Sequence, residues 1–197
     1  MELAAIILAI WMAATPVVAH SVKFAGGENA ITLNFRDGTC SGTRVGLHTI
    51  LTATHCFASG QALIGIDESP ATATGLRVDD GSDHTLATVS ATFTTWARFG
   101  ASPVAGDAVH IWGSPGGLHH MLRVGVVSGW QEGRCVIDIN SWFGDSGAGL
   151  LDADGRVVGV LSSILSESRP LTSDVAQWKM TVMLPLAFTP AQIKAIK

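Results

Sequence analysis

From residue 30 onward the chain is a succession of short apolar runs, cut by Gly, Pro, Asp and Ser at intervals of about ten residues. Runs this short suit strands better than helices, and their even spacing suits a sandwich or barrel. The expected strands are 30–35, 39–46, 48–54, 62–66, 85–90, 108–112, 121–128, 135–139, 147–151, 156–162 and 180–184. Composition agrees with an all-β chain. Charged residues make up 14% and there are 22 glycines, whereas a helical bundle needs more Glu and Lys on its wet faces. Asp154-Gly155, between "GLL" and "RVVGV", predicts a hairpin turn. One helix is expected, in "TPAQIKAIK" (189–197), with Thr189 as N-cap and Pro190 in the first turn. The Gly- and Pro-punctuated stretch 96–107 reads as a link between two halves, 20–100 and 101–197. A chain of 197 residues suits one domain, or two subdomains sharing a core.

The N-terminus reads as targeting. Leu3 to Ala14 is apolar and uncharged, and small residues at Val17 and Ala19 suit cleavage before His20, so residues 1–19 are expected to be a signal peptide. Glu2, with no Lys or Arg before the run, departs from the usual basic flank. The alternative is an uncleaved anchor, for which Leu3 to Ala19 is close to the lower limit of length. Either way the expectation is a secreted or exported protein, in contact with a membrane only if this segment stays. The net charge of −4, without a block of Lys or Arg, gives no footprint for nucleic acid. Of three cysteines, Cys40 and Cys56 can pair in an oxidising compartment, which would contribute about 3 kcal/mol for a loop of this size. Cys135, in "RCVIDI", reads as a buried free thiol.

Three stretches carry candidate chemistry. In "ILTATHCF" (50–57), His55 beside Cys56 is a metal ligand, a proton carrier or an ordinary strand-end residue. In "FGDSGAGL" (143–150), Ser146 lies between Gly144 and Gly147, in a turn where the N–H groups of Gly144 and Ser146 can converge on one point. A plain glycine-rich turn is the alternative. In "DHTLATV" (83–89), Asp83 opens an apolar run, as a turn residue or as a carboxylate that orients an imidazole. Asp79 and Asp80, in "DDGSD", read as a solvated loop. His110, His119 and His120 have no Asp, Glu or Cys at ligand spacing, so neither a metal nor another cofactor is expected. Trp96, Trp112, Trp130 and Trp142 read as core, with Trp142 able to wall a cleft near Ser146.

Taken together, "GTCSGTRVGLHTILTATHCF", "DHTLATV" and "GDSGAGLLDADGRVVGVLSS" resemble the three signature segments of the chymotrypsin/trypsin-like serine proteases, most like compact bacterial and viral members. The order His, Asp, Ser is that family's order. The resemblance implies two six-stranded antiparallel β-barrels with the site in the cleft between them, followed here by the short C-terminal helix. It implies His55 as general base, Asp83 as its orienter, Ser146 as nucleophile, and the Gly144 and Ser146 N–H groups as oxyanion hole. It implies a Cys40–Cys56 disulfide and a role for Ser162 beside the aspartate and the substrate strand. Asn140, Ser141, Ser163 and Ile164 would line the specificity pocket. With no acid among them and no histidine near Leu161, a small or medium apolar P1 residue is expected.

Two features depart from the family pattern. The interval from His55 to Asp83 is short, and no β-branched pair followed by two glycines supplies an activating N-terminus. Asp145 therefore needs another partner, and Arg123 or Arg134 is expected to serve. The expected function is a monomeric serine endopeptidase that cleaves polypeptides through an acyl-enzyme. The alternative is a catalytically silent homologue acting as a binding module, against which the complete His-Asp-Ser set weighs.

Overall fold

The computed structural model describes residues 23–171 and 174–195, so the expected signal segment lies outside the described residues. Thirteen strands and one helix follow in order. In the first half these are β1 (Ala30–Phe35), β2 (Gly38–Arg44), β3 (Thr49–Ala53), β4 (Leu63–Ile66), β5 (Ser69–Pro70), β6 (Ala73–Asp79) and β7 (His84–Val89). They form a seven-stranded antiparallel sheet in the order β5-β4-β1-β2-β3-β7-β6. The second half holds β8 (Ala108–Gly113), β9 (Met121–Gln131), β10 (Arg134–Asp138), β11 (Gly149–Leu151), β12 (Val157–Leu171) and β13 (Asp174–Leu184). These close into a six-stranded barrel in the order β10-β13-β12-β11-β8-β9. The fold is thus the expected all-β, chymotrypsin-like arrangement, with the second half closed into a six-stranded barrel and the first half a seven-stranded sheet in place of the expected six-stranded barrel.

The position of the site follows from burial on both faces of β3. Neighbouring residues of a strand point to opposite sides. Ile50 enters the core of the first half, with Leu33, Phe35, Ile66 and Phe93. Leu51 enters a separate core with Leu86, Val157 and Val160, which forms the seam between the halves. Each such side chain contributes roughly 1.5–3 kcal/mol by leaving water. Leu186, Phe188 and Ile193, which follow β13, pack on the same seam. The second barrel has its own core around Val109, Ile111, Ile137, Leu150 and Met183, and it includes the buried free thiol of Cys135, pushed up to about 11 by burial. The seam draws the end of β3 towards the turn that precedes β11.

Most expected strands appear within one or two residues of their places. The hairpin at Asp154-Gly155 is present, with Gly155 at φ 76° and its N–H donating to the Asp152 carbonyl over 3.0 Å. The helix α1 (Pro190–Ala195) begins with a reciprocal cap. Thr189 N donates to Gln192 Oε1 (2.8 Å), and Gln192 N donates to Thr189 Oγ1 (3.2 Å). Strand β6 was not expected, because its first residues are exposed and include a glycine, which hides the alternation of an edge strand. β12 and β13 run well past their expected ends, since backbone pairing from Ser166↔Lys179 to Leu171↔Asp174 continues through polar residues. The tryptophans correct the reading of a buried set. Trp96, Trp130 and Trp142 are exposed, and only Trp112 packs partly on the seam core.

Cys40 on β2 and Cys56 in the turn after β3 are joined by a disulfide inside the first core. Replacing both by alanine is expected to lower stability by about 3 kcal/mol. A fall in the urea midpoint, with the native far-UV spectrum kept, is the measurement.

Candidate active site

β3 ends at Ala53 and the chain turns through Thr54–Gly60, which carries His55 outward at the edge of the seam. Asp83 stands just before β7, the strand paired with β3, where Ala53 faces His84. Neighbouring strand ends therefore bring His55 and Asp83 together although 28 positions separate them. The contact has two points. The His55 ring donates from Nδ1 to Asp83 Oδ2 over 2.7 Å, and the His55 backbone N–H donates to Oδ1 over 3.0 Å. A carboxylate only accepts, so the ring carries its proton on Nδ1 and presents Nε2 as the basic nitrogen. The two side chains are 44% and 26% exposed. An open depression of about 440 Å³, lined by Thr54, Phe57, Arg77, Asp79 and Ser82 among others, adjoins them.

Ser146 is half-buried and is held through its backbone. Ser41 of β2 does most of this. Its N–H donates to the Ser146 carbonyl (2.8 Å) and its hydroxyl donates to the Gly144 carbonyl (2.8 Å). The same hydroxyl accepts from Ser114 N (2.9 Å), and Ser114 Oγ meets Thr32 Oγ1 at 2.6 Å. Cys56 Sγ lies 3.8 Å from the Ser146 carbonyl oxygen. Residues 40 and 41 thus fasten the turn of His55 with one residue and the loop of Ser146 with the next. Gly144 and Gly147 take φ values of 99° and 85°. A Cβ at Gly144 would fall 2.3 Å from the Ser114 carbonyl, and one at Gly147 would fall 2.1 Å from Thr52 Oγ1, so only glycine fits at either position. Among the described residues, neither the Gly144 nor the Ser146 N–H has a hydrogen-bond partner, and no hydrogen bond joins Ser146 Oγ to His55.

Asp145, between these two, is fully buried. Of the two arginines expected for it, Arg123 of β9 forms the ion pair, and the Trp142 N–H donates to the other carboxylate oxygen over 2.7 Å. Gly113 leaves the room, since a Cβ there would sit 2.3 Å from the Asp145 carboxylate. Burial pushes the Asp145 carboxyl up, and the Trp142 N–H and the Arg123 guanidinium draw it back only in part.

Among the remaining expected residues, Asn140 is exposed, and Ser141 is buried with its hydroxyl 2.6 Å from Thr181 Oγ1. Leu161 pairs with Met183 and Ser163 with Val182, so Ser162 is the extra residue of a bulge. Its buried hydroxyl makes no hydrogen bond of good geometry, yet it lies close enough to Asp83 to favour the ionised carboxylate. Ser163 is exposed. Ile164 pairs with Thr181 in the backbone, and its side chain is outside the description. The histidines fall apart as a group. His110 is buried, packs with its ring tilted against Phe24 and bonds to the Ala25 carbonyl, whereas His119 and His120 are exposed.

Asp80 lies in the expected loop, but the reading of it as solvated is overturned. Asp80 and His84 have fully buried side chains, and His84 Nδ1 donates to Asp80 Oδ2 over 2.7 Å. Neither this pair nor the structural role of Ser41 and Ser114 carries a local signal beyond the small hydroxyl residues of "TCSGT".

Burial pushes Asp83 up, but the bonds from the His55 ring and backbone outweigh it and leave its carboxyl lowered. Asp80 is lowered too, burial being outweighed by His84, Ser82 and the Ala187 N–H. The unfolded chain therefore binds more protons as pH falls, and the stability from these two groups is full only above about pH 5 and is lost as pH falls towards their lowered folded values. Asp145, raised, works in the opposite sense. The urea midpoint is expected to drop between about pH 5 and about pH 2, and to drop less steeply in Asp80→Asn.

The sequence profile of the trypsin-like peptidase domain matches residues 40–160. No curated protein sequence matches significantly. Solved structures share the fold. The Rv3671c protease of M. tuberculosis in its active form superposes with a TM-score of 0.66 at 18% identity, over 87% of this chain and 82% of that one. Its inactive form gives 0.65 at 19%, over 87% and 90%. An HtrA-type protease, AlgW with a decapeptide, gives 0.59 at 18%, over 80% of this chain and 50% of that one.

Proposed function

We propose, on the premise that this chain belongs to the trypsin-like peptidase family and is a serine-type peptidase, that it is an endopeptidase working through His55, Asp83 and Ser146. The observation that carries the reading is the two-point bond of Asp83 to His55, which fixes the ring with Nε2 basic and turned from the carboxylate. Ser146 Oγ attacks the scissile carbonyl and its proton passes to His55 Nε2. The free N–H groups of Gly144 and Ser146 receive the developing oxyanion. The C–N bond then breaks as the imidazolium returns the proton to the leaving amine, and water, deprotonated by the same nitrogen, attacks the acyl carbon, so that the Oγ–acyl bond breaks and the proton passes back to Ser146 Oγ. Asp83 steadies the imidazolium throughout, aided by the nearby Ser162 hydroxyl.

Asn140, Ser141 and Ser163 bring no charge to the expected P1 site, and exposed Phe143 and Trp142 stand before Ser146. Their rings meet edge to face, with centroids 5.9 Å apart. Together these support a small or medium apolar P1 residue. The Cys40–Cys56 disulfide supports work outside a reducing cytosol. A fluorophosphonate probe is expected to label the protein, and to fail with Ser146→Ala and with His55→Ala. A folded wild-type chain that takes no label would overturn the proposal, and would favour a binding module instead.

A further inference from the structure

Asp80 is the most heavily bonded carboxylate near the site, and the chemistry above makes no use of it. It accepts from His84 Nδ1 (2.7 Å), from Ser82 N (3.0 Å), from Ser82 Oγ (2.5 Å) and from Ala187 N (3.0 Å). Three of these four donors lie in the segment that carries Asp83. Ser82 precedes Asp83 and His84 follows it, so Asp83 sits between two residues tied to one buried anion. The fourth donor comes from the C-terminal segment, 107 positions away. That segment is held to the same turn a second time, because Gln192 Nε2 donates to the Asp79 carbonyl over 3.0 Å. Asp79 in turn accepts from Thr54 Oγ1 over 2.5 Å, and Thr54 is the residue before His55. The Thr54 N–H also donates to the Asp83 carbonyl over 2.9 Å.

We infer that Asp80 and His84 are a positioning pair for the catalytic imidazole. Their buried hydrogen bond sets the turn so that Asp83 can grip both the ring and the backbone of His55, and the bond from Ala187 makes that setting depend on docking of the C-terminal segment. The reason is geometric. Two hydrogen bonds accepted by one carboxylate, from a ring N–H and from a backbone N–H, tolerate little rotation of the carboxylate. The 81–82 part of the turn is exposed, Gly81 has φ 82°, and a Cβ there would meet nothing within 4 Å. The buried anion holds it through Ser82 and His84, beside two backbone donors, Gly81 N to Asp79 Oδ1 over 2.6 Å and Asp80 N to the His84 carbonyl over 3.3 Å. Misplacement of a catalytic group by about 1 Å can cost on the order of 10²-fold in rate.

The inference rests on the proposed role of His55 and Asp83, and its test separates the two. Asp80→Asn keeps size and burial and removes the anion. In the full chain it is expected to lower kcat about 10- to 100-fold with KM within about twofold. It is also expected to shift the acid limb of the pH profile of kcat/KM and to alter the downfield proton signal of His55 Nδ1–H. A loss of stability alone moves neither of the last two readouts. His84→Asn, whose amide can still donate to Asp80, should retain more kcat than His84→Phe. A folded Asp80→Asn with the wild-type kcat, pH profile and His55 signal would overturn the inference. Should that variant not fold, Ser82→Ala removes one donor from an exposed residue, and is expected to lower kcat about threefold and to alter the same His55 signal. Wild-type behaviour of Ser82→Ala would then overturn it. Failure of the underlying reading looks different, as undiminished cleavage by Ser146→Ala or His55→Ala.

Discussion

Alanine at position 146 is expected to reduce turnover of a cleavable peptide by about 10⁴- to 10⁶-fold. The substitution removes the nucleophile and leaves the His55–Asp83 pair and the Gly144 and Ser146 N–H groups in place. Residual rate above the uncatalysed reaction, from those N–H groups and from binding, should therefore remain. The fold should be untouched, because Ser146 is anchored by its carbonyl on the Ser41 N–H and not by its hydroxyl. Single-turnover kinetics on one peptide, with melting curves for both proteins, measure the two quantities. A loss of less than tenfold would assign the nucleophile elsewhere.

The second large effect is expected at Arg123. Leucine there leaves the fully buried Asp145 carboxylate with the Trp142 N–H as its one remaining side-chain bond. Breaking such a pair by removing one partner costs about 3–5 kcal/mol, because the surviving charge stays desolvated. Asp145 lies between the residues whose N–H groups face the proposed oxyanion, so turnover should fall by about 10²–10³-fold in the same variant. The double variant Arg123→Leu/Asp145→Asn should regain part of the lost stability, since it removes the stranded charge. The sign with pH is also set. A carboxyl already pushed up by burial loses the partner that held it down, so the stability of Arg123→Leu should recover as pH falls and the group is neutralised. A single variant within about 1 kcal/mol of wild type would show that Asp145 does not depend on this arginine.

Strands whose two faces differ, or that are buried on both, were legible. β1 matched its expected span, and β3 and β8 did so within one or two residues, because apolar side chains there must alternate between, or fill, two cores. The exposed edge strand β6 and the outer parts of β12 and β13 were not legible. Backbone pairing holds them, and it leaves no trace in hydropathy. The three chemical stretches could be read together because they resemble, in order, the signature segments of the trypsin-like serine proteases. Asp80 was misread on its local composition. An acid in "DDGSD" has the composition of a solvated turn, and only the arrival of Ala187 and the inward turn of His84 bury it.

By itself, the sequence determined the all-β class, the hairpin at Asp154-Gly155 and the capped C-terminal helix, and its family resemblance pointed to the histidine, aspartate and serine proposed for the chemistry. Those features depend on neighbours within a few positions, where steric rules and periodicity act. The tertiary structure decided how these residues are held. Ser41 reaches a carbonyl 103 positions away, Arg123 finds Asp145 across the barrel, and the C-terminal segment closes over Asp80. Such pairings are selected by the joint burial of two sheets against one seam, and no local pattern of residues encodes which distant partner that burial will supply.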